Sequence, residues 1–180
     1  MYGTYKLFYP QCLTLQESDH GGSFRIDNAF DFDYNSDSYW ISSNPNGFIS
    51  ICLKYHSFTV ESFEITTTSG TCRPSKFSIK VGMDGDSYLG QQNYSYTMGA
   101  DETAHFTFDF NNIDVRCFKF QSIQSTCSFG PDINQVEFFG KLTQVEKPDG
   151  HLACENVKLV TCPMLREREI CLSIILWFYS

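Results

Sequence analysis

Hydrophobic and polar residues alternate along most of this chain with a period of two, which is typical of β-strands that bury one face. The clearest run is 76–81, in which Phe77, Ile79 and Val81 alternate with polar residues. The last predicted strand covers residues 136–139. Strands are also predicted around the apolar positions Ile49, Ile51 and Leu53, Phe63 and Ile65, Phe106, Phe108 and Phe110, and Phe118 and Phe120.

Turn-forming residues separate these runs. The segment 42–47, with the sequence Ser-Ser-Asn-Pro-Asn-Gly, indicates a turn, and the Asp-Gly pair within 83–86 suits a tight hairpin. A first short strand is expected at Phe24 and Ile26. No stretch before residue 142 has the apolar stripe of a helix. Many short strands joined by turns predict an all-β sandwich or barrel.

The length of 180 residues suits one domain with a sizeable core. We divide the chain into an N-terminal extension at 1–22, a β-sandwich at 23–142 and a C-terminal tail at 143–180. The Lys-Pro-Asp-Gly sequence at 147–150 marks the second boundary. The predicted core contains Trp40, Ile51, Phe63, Ile79, Phe108, Phe118 and Phe138.

The formal net charge of −8, without a run of Lys or Arg, argues against a nucleic-acid partner. Eight cysteines would suit a secreted, disulfide-bonded protein. However, the N-terminal residues lack a signal-peptide pattern, and Cys52 and Cys117 lie in strand-like runs, where a reduced cysteine behaves as a small apolar residue. The sequence therefore favours reduced thiols and a cytoplasmic protein, or a fragment of a longer chain. Membrane association through the apolar run 170–179 is the alternative, although a spanning helix needs roughly 20 residues.

Sequence motifs of catalysis point away from an enzyme. The chain has no Gly-x-Ser-x-Gly elbow, no His-Glu-x-x-His pair and no phosphate-binding glycine loop. Asp84 and Asp86 have the spacing of a carboxylate pair, but they flank the glycine of the predicted hairpin, where they favour the turn itself. We expect a protein without catalytic activity.

Oxygen-bearing side chains cluster just before Trp40. Residues 33–38 supply carboxylate, amide and hydroxyl oxygens, which are the ligands that a calcium ion prefers. The same residue types also form turns by bonding to their own backbone. On the residues alone, a solvated turn and a calcium site are both compatible with this segment.

Three segments resemble, in the expected order, those of discoidin-like domains, the coagulation factor V/VIII C-type family. They are 32–40 (Phe-Asp-Tyr-Asn-Ser-Asp-Ser-Tyr-Trp), 74–88 (Pro-Ser-Lys-Phe-Ser-Ile-Lys-Val-Gly-Met-Asp-Gly-Asp-Ser-Tyr) and 134–140 (Asn-Gln-Val-Glu-Phe-Phe-Gly). The resemblance spans roughly residues 23–142, and it is closest in style to intracellular protozoan and animal variants attached to BTB or Kelch-type regions. It implies an antiparallel jelly-roll β-sandwich of the galactose-binding-like type.

The resemblance also implies a structural calcium ion with ligands from Asp33, Asn35, Ser38 and, across the fold, Glu137. Ser38 keeps the hydroxyl of the family's threonine. Asn35 offers a neutral oxygen where some relatives have a carboxylate, which weakens the expected site. The ion would fasten the loop to the closing strand rather than take part in chemistry.

Discoidin-like domains bind carbohydrate or protein ligands through loops at one end of the sandwich, and the resemblance implies that function here. The candidate loops are 42–47, 68–73 and 122–130. Phe129 is a candidate for stacking on a sugar, and Arg73 for binding an anion or a sugar hydroxyl. The alternatives are an accessory-domain fragment of a carbohydrate-active enzyme and a phospholipid-binding module, although few basic residues at the loops disfavour acidic lipid.

Overall fold

The structure is a computed structural model that describes residues 13–18, 25–30, 38–54, 56–109, 113–145, 157–159, 170–172 and 174–176. Within them lies one short 3-10 helix, Ile26–Ala29. The strands are β1 (Leu13–Glu17), β2 (Trp40–Ile41), β3 (Phe48–Leu53), β4 (His56–Thr67), β5 (Pro74–Gly82), β6 (Tyr88–Ser95), β7 (Thr103–Thr107), β8 (Asp114–Val115), β9 (Cys117–Ser125), β10 (Asp132–Val145), β11 (Val157–Leu159), β12 (Ile170–Leu172) and β13 (Ile174–Leu176). In this part of the chain, no helix has the length and apolar character needed to cross a membrane.

Two antiparallel sheets form the sandwich. One has five strands in the order β1-β3-β9-β5-β6. The other has six, in the order β12-β10-β4-β7, with β2 paired to β10 and β8 paired to β4. Strands β11 and β13 form a separate antiparallel pair. The predicted all-β, antiparallel sandwich is confirmed.

The core lies between the two sheets, where the period-two pattern directs its apolar side chains. Phe63 of β4 is at its centre, and its ring centroid is 5.0 to 6.4 Å from five other aromatic rings. The predicted core is confirmed, since each of its members is buried: Trp40, Ile51, Phe63, Ile79, Phe108, Phe118 and Phe138.

The N-terminal part differs from the predicted pattern. Ile26 lies in the 3-10 helix rather than in a first short strand, and Phe24 is outside the described residues. Strand β1, within the predicted extension, was not foreseen, although it pairs with β3 from Leu13 opposite Leu53 to Glu17 opposite Ile49. Its apolar pattern is short, since only Leu13 and Leu15 alternate with polar residues. Strand β12, within the predicted tail, likewise extends the second sheet beside β10.

The cysteines also depart from expectation. Cys52 and Cys117, predicted to be reduced, form a disulfide between directly opposite positions of β3 and β9, and Cys72 forms a second disulfide with Cys127. The prediction of reduced thiols is therefore wrong for this pair. Disulfides persist in oxidising compartments. They weigh against the predicted cytoplasmic location, which itself stays a prediction.

The connections between strands divide between the two ends of the sandwich. At one end, which we call the loop end, lie the segments 42–47, 68–73, 96–102 and 126–131. The strand pairing shows this, since Thr67 at the end of β4 is opposite Ile133 at the start of β10. The β5–β6 hairpin lies at the other end. There Asp84 Oδ1 accepts hydrogen bonds from the backbone N–H of Asp86 (3.0 Å) and of Ser87 (2.5 Å), so the predicted Asp-Gly turn is confirmed.

Candidate functional site

The predicted loop 68–73 is joined at the loop end to the segment 126–131; the predicted loop 122–130 begins too early, since residues 122–125 belong to β9. The backbone N–H of Thr126 donates to the Arg73 carbonyl oxygen at 2.9 Å, and the Arg73 N–H donates back to Thr126 Oγ1 at 2.9 Å. Thr126 Oγ1 donates in turn to the Thr71 carbonyl oxygen at 2.5 Å. The Cys72–Cys127 disulfide joins the same two loops covalently. The sequence placed these loops near each other, and the structure shows what holds them.

The first predicted loop joins the same surface. The backbone N–H of Gly130 donates to the Ser42 carbonyl oxygen, and that of Ser122 donates to the Gly47 carbonyl oxygen, both at 2.9 Å. A Cβ atom at position 130 would stand 2.5 Å from Ser42 Cβ and 2.7 Å from the Asn44 carbonyl oxygen. Only glycine permits this close approach. The three loops therefore form one connected surface.

Phe129 projects from this surface, with 55% of the residue exposed. Its backbone is fixed by Ser125, because the Ser125 hydroxyl donates to the carbonyl oxygens of Phe129 (Oγ to O, 2.5 Å) and of Cys127 (2.8 Å). Arg73 directly follows Cys72 of the disulfide and is half-buried. Its Nε has no hydrogen-bond partner among the described residues. The two predicted ligand-binding residues thus belong to the same fastened pair of loops.

Tyr96 is an exposed aromatic residue at the loop end that the sequence analysis missed. Its hydroxyl donates to Glu102 Oε1 at 2.5 Å, and the backbone N–H of Gly99 donates to Glu102 Oε2. These two hydrogen bonds, that from Tyr96 first, hold the pKa of Glu102 below its usual range. The Tyr96 ring packs edge-on against Phe106 at 5.6 Å. In the sequence, the turn residues at 99–101 could have indicated this loop. In the structure, they help to orient the Tyr96 ring through Glu102.

A buried carboxyl group lies beneath these loops. Asp132, at the start of β10, is only 7% exposed, and burial raises its pKa to about 6, against a weaker opposing effect of a backbone hydrogen bond from Cys72. Its Oδ1 has no hydrogen-bond partner among the described residues, and a Cβ atom at Gly70 would collide with its Oδ2. The loop 68–73 therefore covers a carboxyl group that is more easily protonated than an ordinary aspartate.

We expect the Asp132→Asn variant to be more stable than the wild type at pH 8. The raised pKa means that folding favours the neutral carboxyl, so its stabilising contribution is full below the ordinary pKa of 3.8 and is lost as pH rises through about 6. The variant should gain up to about 3 kcal/mol in unfolding free energy at pH 8 and little at pH 4. Urea denaturation at both pH values measures this difference. The exposed Asp101→Asn is the control, and an equal gain for both variants would contradict the assignment to Asp132.

Asn134, a residue outside the predicted set, joins the segment before Trp40 to the closing strand. Its Nδ2 donates to the Ser38 carbonyl oxygen at 2.5 Å, and β2 pairs with β10 beside it. Glu137 is buried on β10, opposite Glu64 in the β4 ladder. Asp33 and Asn35 lie outside the described residues, so the calcium site stays a prediction. No cluster of three His, Cys, Asp or Glu suited to a metal occurs in the part that the structure describes.

Trp40 is anchored by a residue that sequence reasoning did not single out. Its indole Nε1 donates to Glu17 Oε2 at 3.1 Å, and the same oxygen accepts the backbone N–H of Ile26 at 3.1 Å. A carboxylate from β1 therefore satisfies both the buried indole and the start of the 3-10 helix. This role could not be seen in the sequence because β1 itself was not predicted.

No family model and no curated protein matches this chain. Solved structures do match. One is a chitosan-binding module from a chitosanase/glucanase of Paenibacillus sp. IK-5 (TM-score 0.56, 21% identity, covering 71% of this chain and 94% of that one). Another is the family 32 carbohydrate-binding module of NanJ from C. perfringens with galactose (0.54, 22%, 69% and 90%). A third is a fucose-binding module of Streptococcus pneumoniae (0.58, 17%, 69% and 89%). The chain thus shares the galactose-binding-like, discoidin-like β-sandwich fold of these modules, which confirms the resemblance at the level of fold, while its intracellular, BTB- or Kelch-associated variant stays a prediction.

Proposed function

We propose that this chain is a non-catalytic module that binds a carbohydrate at the loop end. The observation that carries the proposal is the exposed ring of Phe129 on a backbone fastened by the Cys72–Cys127 disulfide. An aromatic face on a fixed backbone packs against the apolar face of a sugar ring at a reduced ordering cost on binding. The fold shared with modules that bind chitosan, galactose and fucose supports this choice of ligand class.

Each residue has a distinct part in the proposal. Phe129 supplies the stacking face, and Arg73 supplies hydrogen-bond donors to sugar hydroxyl or acidic groups. Tyr96, whose hydroxyl is held by Glu102, supplies a second ring at the rim. Loops that are fixed by a rigid scaffold commonly carry binding residues in this way.

The absence of catalysis is part of the same proposal. Glycoside hydrolysis needs two carboxyl groups that flank the scissile bond with access to substrate. Of the carboxyl groups that the structure describes at the loop end, Asp132 is buried beneath a loop and both oxygens of Glu102 already accept hydrogen bonds, which leaves Asp101 as a single exposed carboxylate rather than a pair. A module of this kind is compatible with attachment to a carbohydrate-active enzyme, since the Paenibacillus module derives from one.

A glycan array followed by calorimetry tests the function. We expect the wild type to bind at least one saccharide. Phe129→Ala should weaken that binding at least about tenfold, because a central aromatic contact commonly contributes roughly 2 kcal/mol to binding. Phe129→Trp should retain it. Leu89→Ala, an equally exposed apolar residue beside the hairpin at the opposite end, is the matched control and should bind like the wild type.

Other results would overturn the proposal. Binding to vesicles of acidic phospholipid, with no saccharide bound, would favour the lipid-binding alternative. Turnover of an aryl glycoside that is lost on changing one carboxyl group would make the chain an enzyme. Capture of a protein with an unresponsive glycan array would point to a protein ligand instead.

A further inference from the structure

Two lysines face each other on the outer side of the five-stranded sheet. Lys80 of β5 and Lys119 of β9 occupy directly opposite positions, each between residues that point into the core. Lys119 Nζ lies 3.5 Å from the ring centroid of Phe48, and the two Nζ atoms lie 5.6 and 5.8 Å from that of Tyr88. We call Lys80, Lys119, Phe48, Tyr88 and Gln121 the lysine patch.

The positive charge of this patch is not neutralised by the described residues. Like charges directly opposite in a ladder destabilise a sheet, and burial, together with Lys80, lowers the pKa of Lys119. The chain carries 21 acidic against 13 basic residues, yet neither lysine forms an ion pair within the part that the structure describes. The carboxylates of Asp84 and Asp86 at the hairpin tip raise the pKa of Tyr88, after the larger effect of burial, but neither pairs with the lysines. This acidic protein thus contains a pair of cations whose mutual repulsion is unfavourable.

The polar groups of the patch are hydrogen-bond donors. Lys80 Nζ donates to Gln121 Oε1 at 3.2 Å, so the Gln121 Nε2 is the amide group left to donate to a ligand. The patch thus offers two ammonium groups and one amide N–H beside two aromatic rings. These donors complement a carboxylate or sulfate, because charge-assisted hydrogen bonds are stronger than hydrogen bonds between neutral groups. A neutral ligand would leave the repulsion between the lysines unrelieved.

We propose that the lysine patch is a second binding surface, which takes the anionic groups of an acidic polysaccharide that is also held at the loop end. This inference rests on the proposed function. Strand β9 runs from Lys119 through Gln121 to Ser125 at the loop end, so about 20 Å separates the two surfaces. A polymer can span that distance along the sheet, whereas a monosaccharide cannot. An acidic polymer of repeating sugars therefore suits the arrangement better than a single ligand does.

The test compares a hexamer of galacturonate with its methyl ester, which has the same length without the charge. We expect Lys80→Gln and Lys119→Gln each to weaken binding of the acidic hexamer about five- to tenfold at low salt, with a smaller effect at high salt. Binding of the ester should not change. Lys54→Gln, an exposed lysine that follows β3 at the end of the sheet away from the loop end, is the matched control, and Lys119→Arg should retain binding. Melting temperatures verify that each variant is folded.

Several results would overturn the second surface. They are no binding of the acidic hexamer to the wild type, equal weakening by Lys54→Gln, equal weakening for the ester, or equally tight binding of polyglutamate, which would indicate an acidic protein ligand. The two proposals fail separately. If Phe129→Ala weakens both hexamers and the lysine variants weaken neither, the loop-end function stands and the lysine patch is not a binding surface.

Discussion

Replacing Cys72 and Cys127 together by alanine is expected to lower the free energy of unfolding by up to about 4 kcal/mol and to weaken saccharide binding in the same variant. The cross-link closes a loop of 55 residues, and its loss returns conformational freedom to the unfolded chain. It also releases the loops that carry Arg73 and Phe129. Urea denaturation measures the first effect, and calorimetry well below the melting temperature measures the second.

The chain supplies a matched control for this variant. The Cys52–Cys117 disulfide closes a loop of similar length, 65 residues, on the sheet near the opposite end. Its double alanine variant should lose a similar free energy, about 4 kcal/mol, but bind saccharide like the wild type. If both double variants lost binding equally, affinity would follow global stability, and the special role of the Cys72–Cys127 link would be disproved.

Phe63→Ala is expected to lower the free energy of unfolding by about 3–5 kcal/mol, the usual cost of removing a buried phenylalanine. The ring packs against Phe77, Tyr94, Phe106 and Phe138, so its loss opens a cavity between both sheets. A domain of ordinary stability, about 5–15 kcal/mol, would be left marginal. Denaturant titration with near-ultraviolet circular dichroism measures the loss.

The same substitution at an exposed position separates burial from chemistry. Phe129→Ala removes the same ring and should change the unfolding free energy by no more than about 0.5 kcal/mol. Phe63→Leu should cost less than Phe63→Ala because it fills part of the cavity. A loss for Phe129→Ala as large as that for Phe63→Ala would show that Phe129 is a core residue.

The sandwich was predictable because its central strands bury one face along their whole length. Phe77, Ile79 and Val81 repeat at every second position, and this pattern alone places them on the buried face of a sheet. Strand β1 has only two alternating apolar residues, Leu13 and Leu15, and the 3-10 helix has no such pattern. Their positions depend on partners distant in sequence, such as Glu17 beneath the indole of Trp40.

The candidate site was predictable only in outline. The loops could be located from turn residues, but which cysteines pair across them depends on how the loops meet in space. Asp132 gave no signal either, because its raised pKa arises from burial beneath loop 68–73. Asn134 belongs to the segment 134–140, which the sequence analysis singled out. Its hydrogen bond to Ser38 was not predictable, because it depends on the pairing of β2 with β10.

The bond between Asn134 and Ser38 has a consequence for the order of events during synthesis. The two residues are 96 positions apart, so the segment that ends at Trp40 leaves the ribosome long before its partner strand does. At about 5–20 residues per second, the delay is roughly 5–20 s. During that interval the indole of Trp40 lacks its neighbours on β10. Contacts of such large sequence separation also slow folding, so the nascent chain exposes this aromatic segment to chaperones until the closing strand arrives.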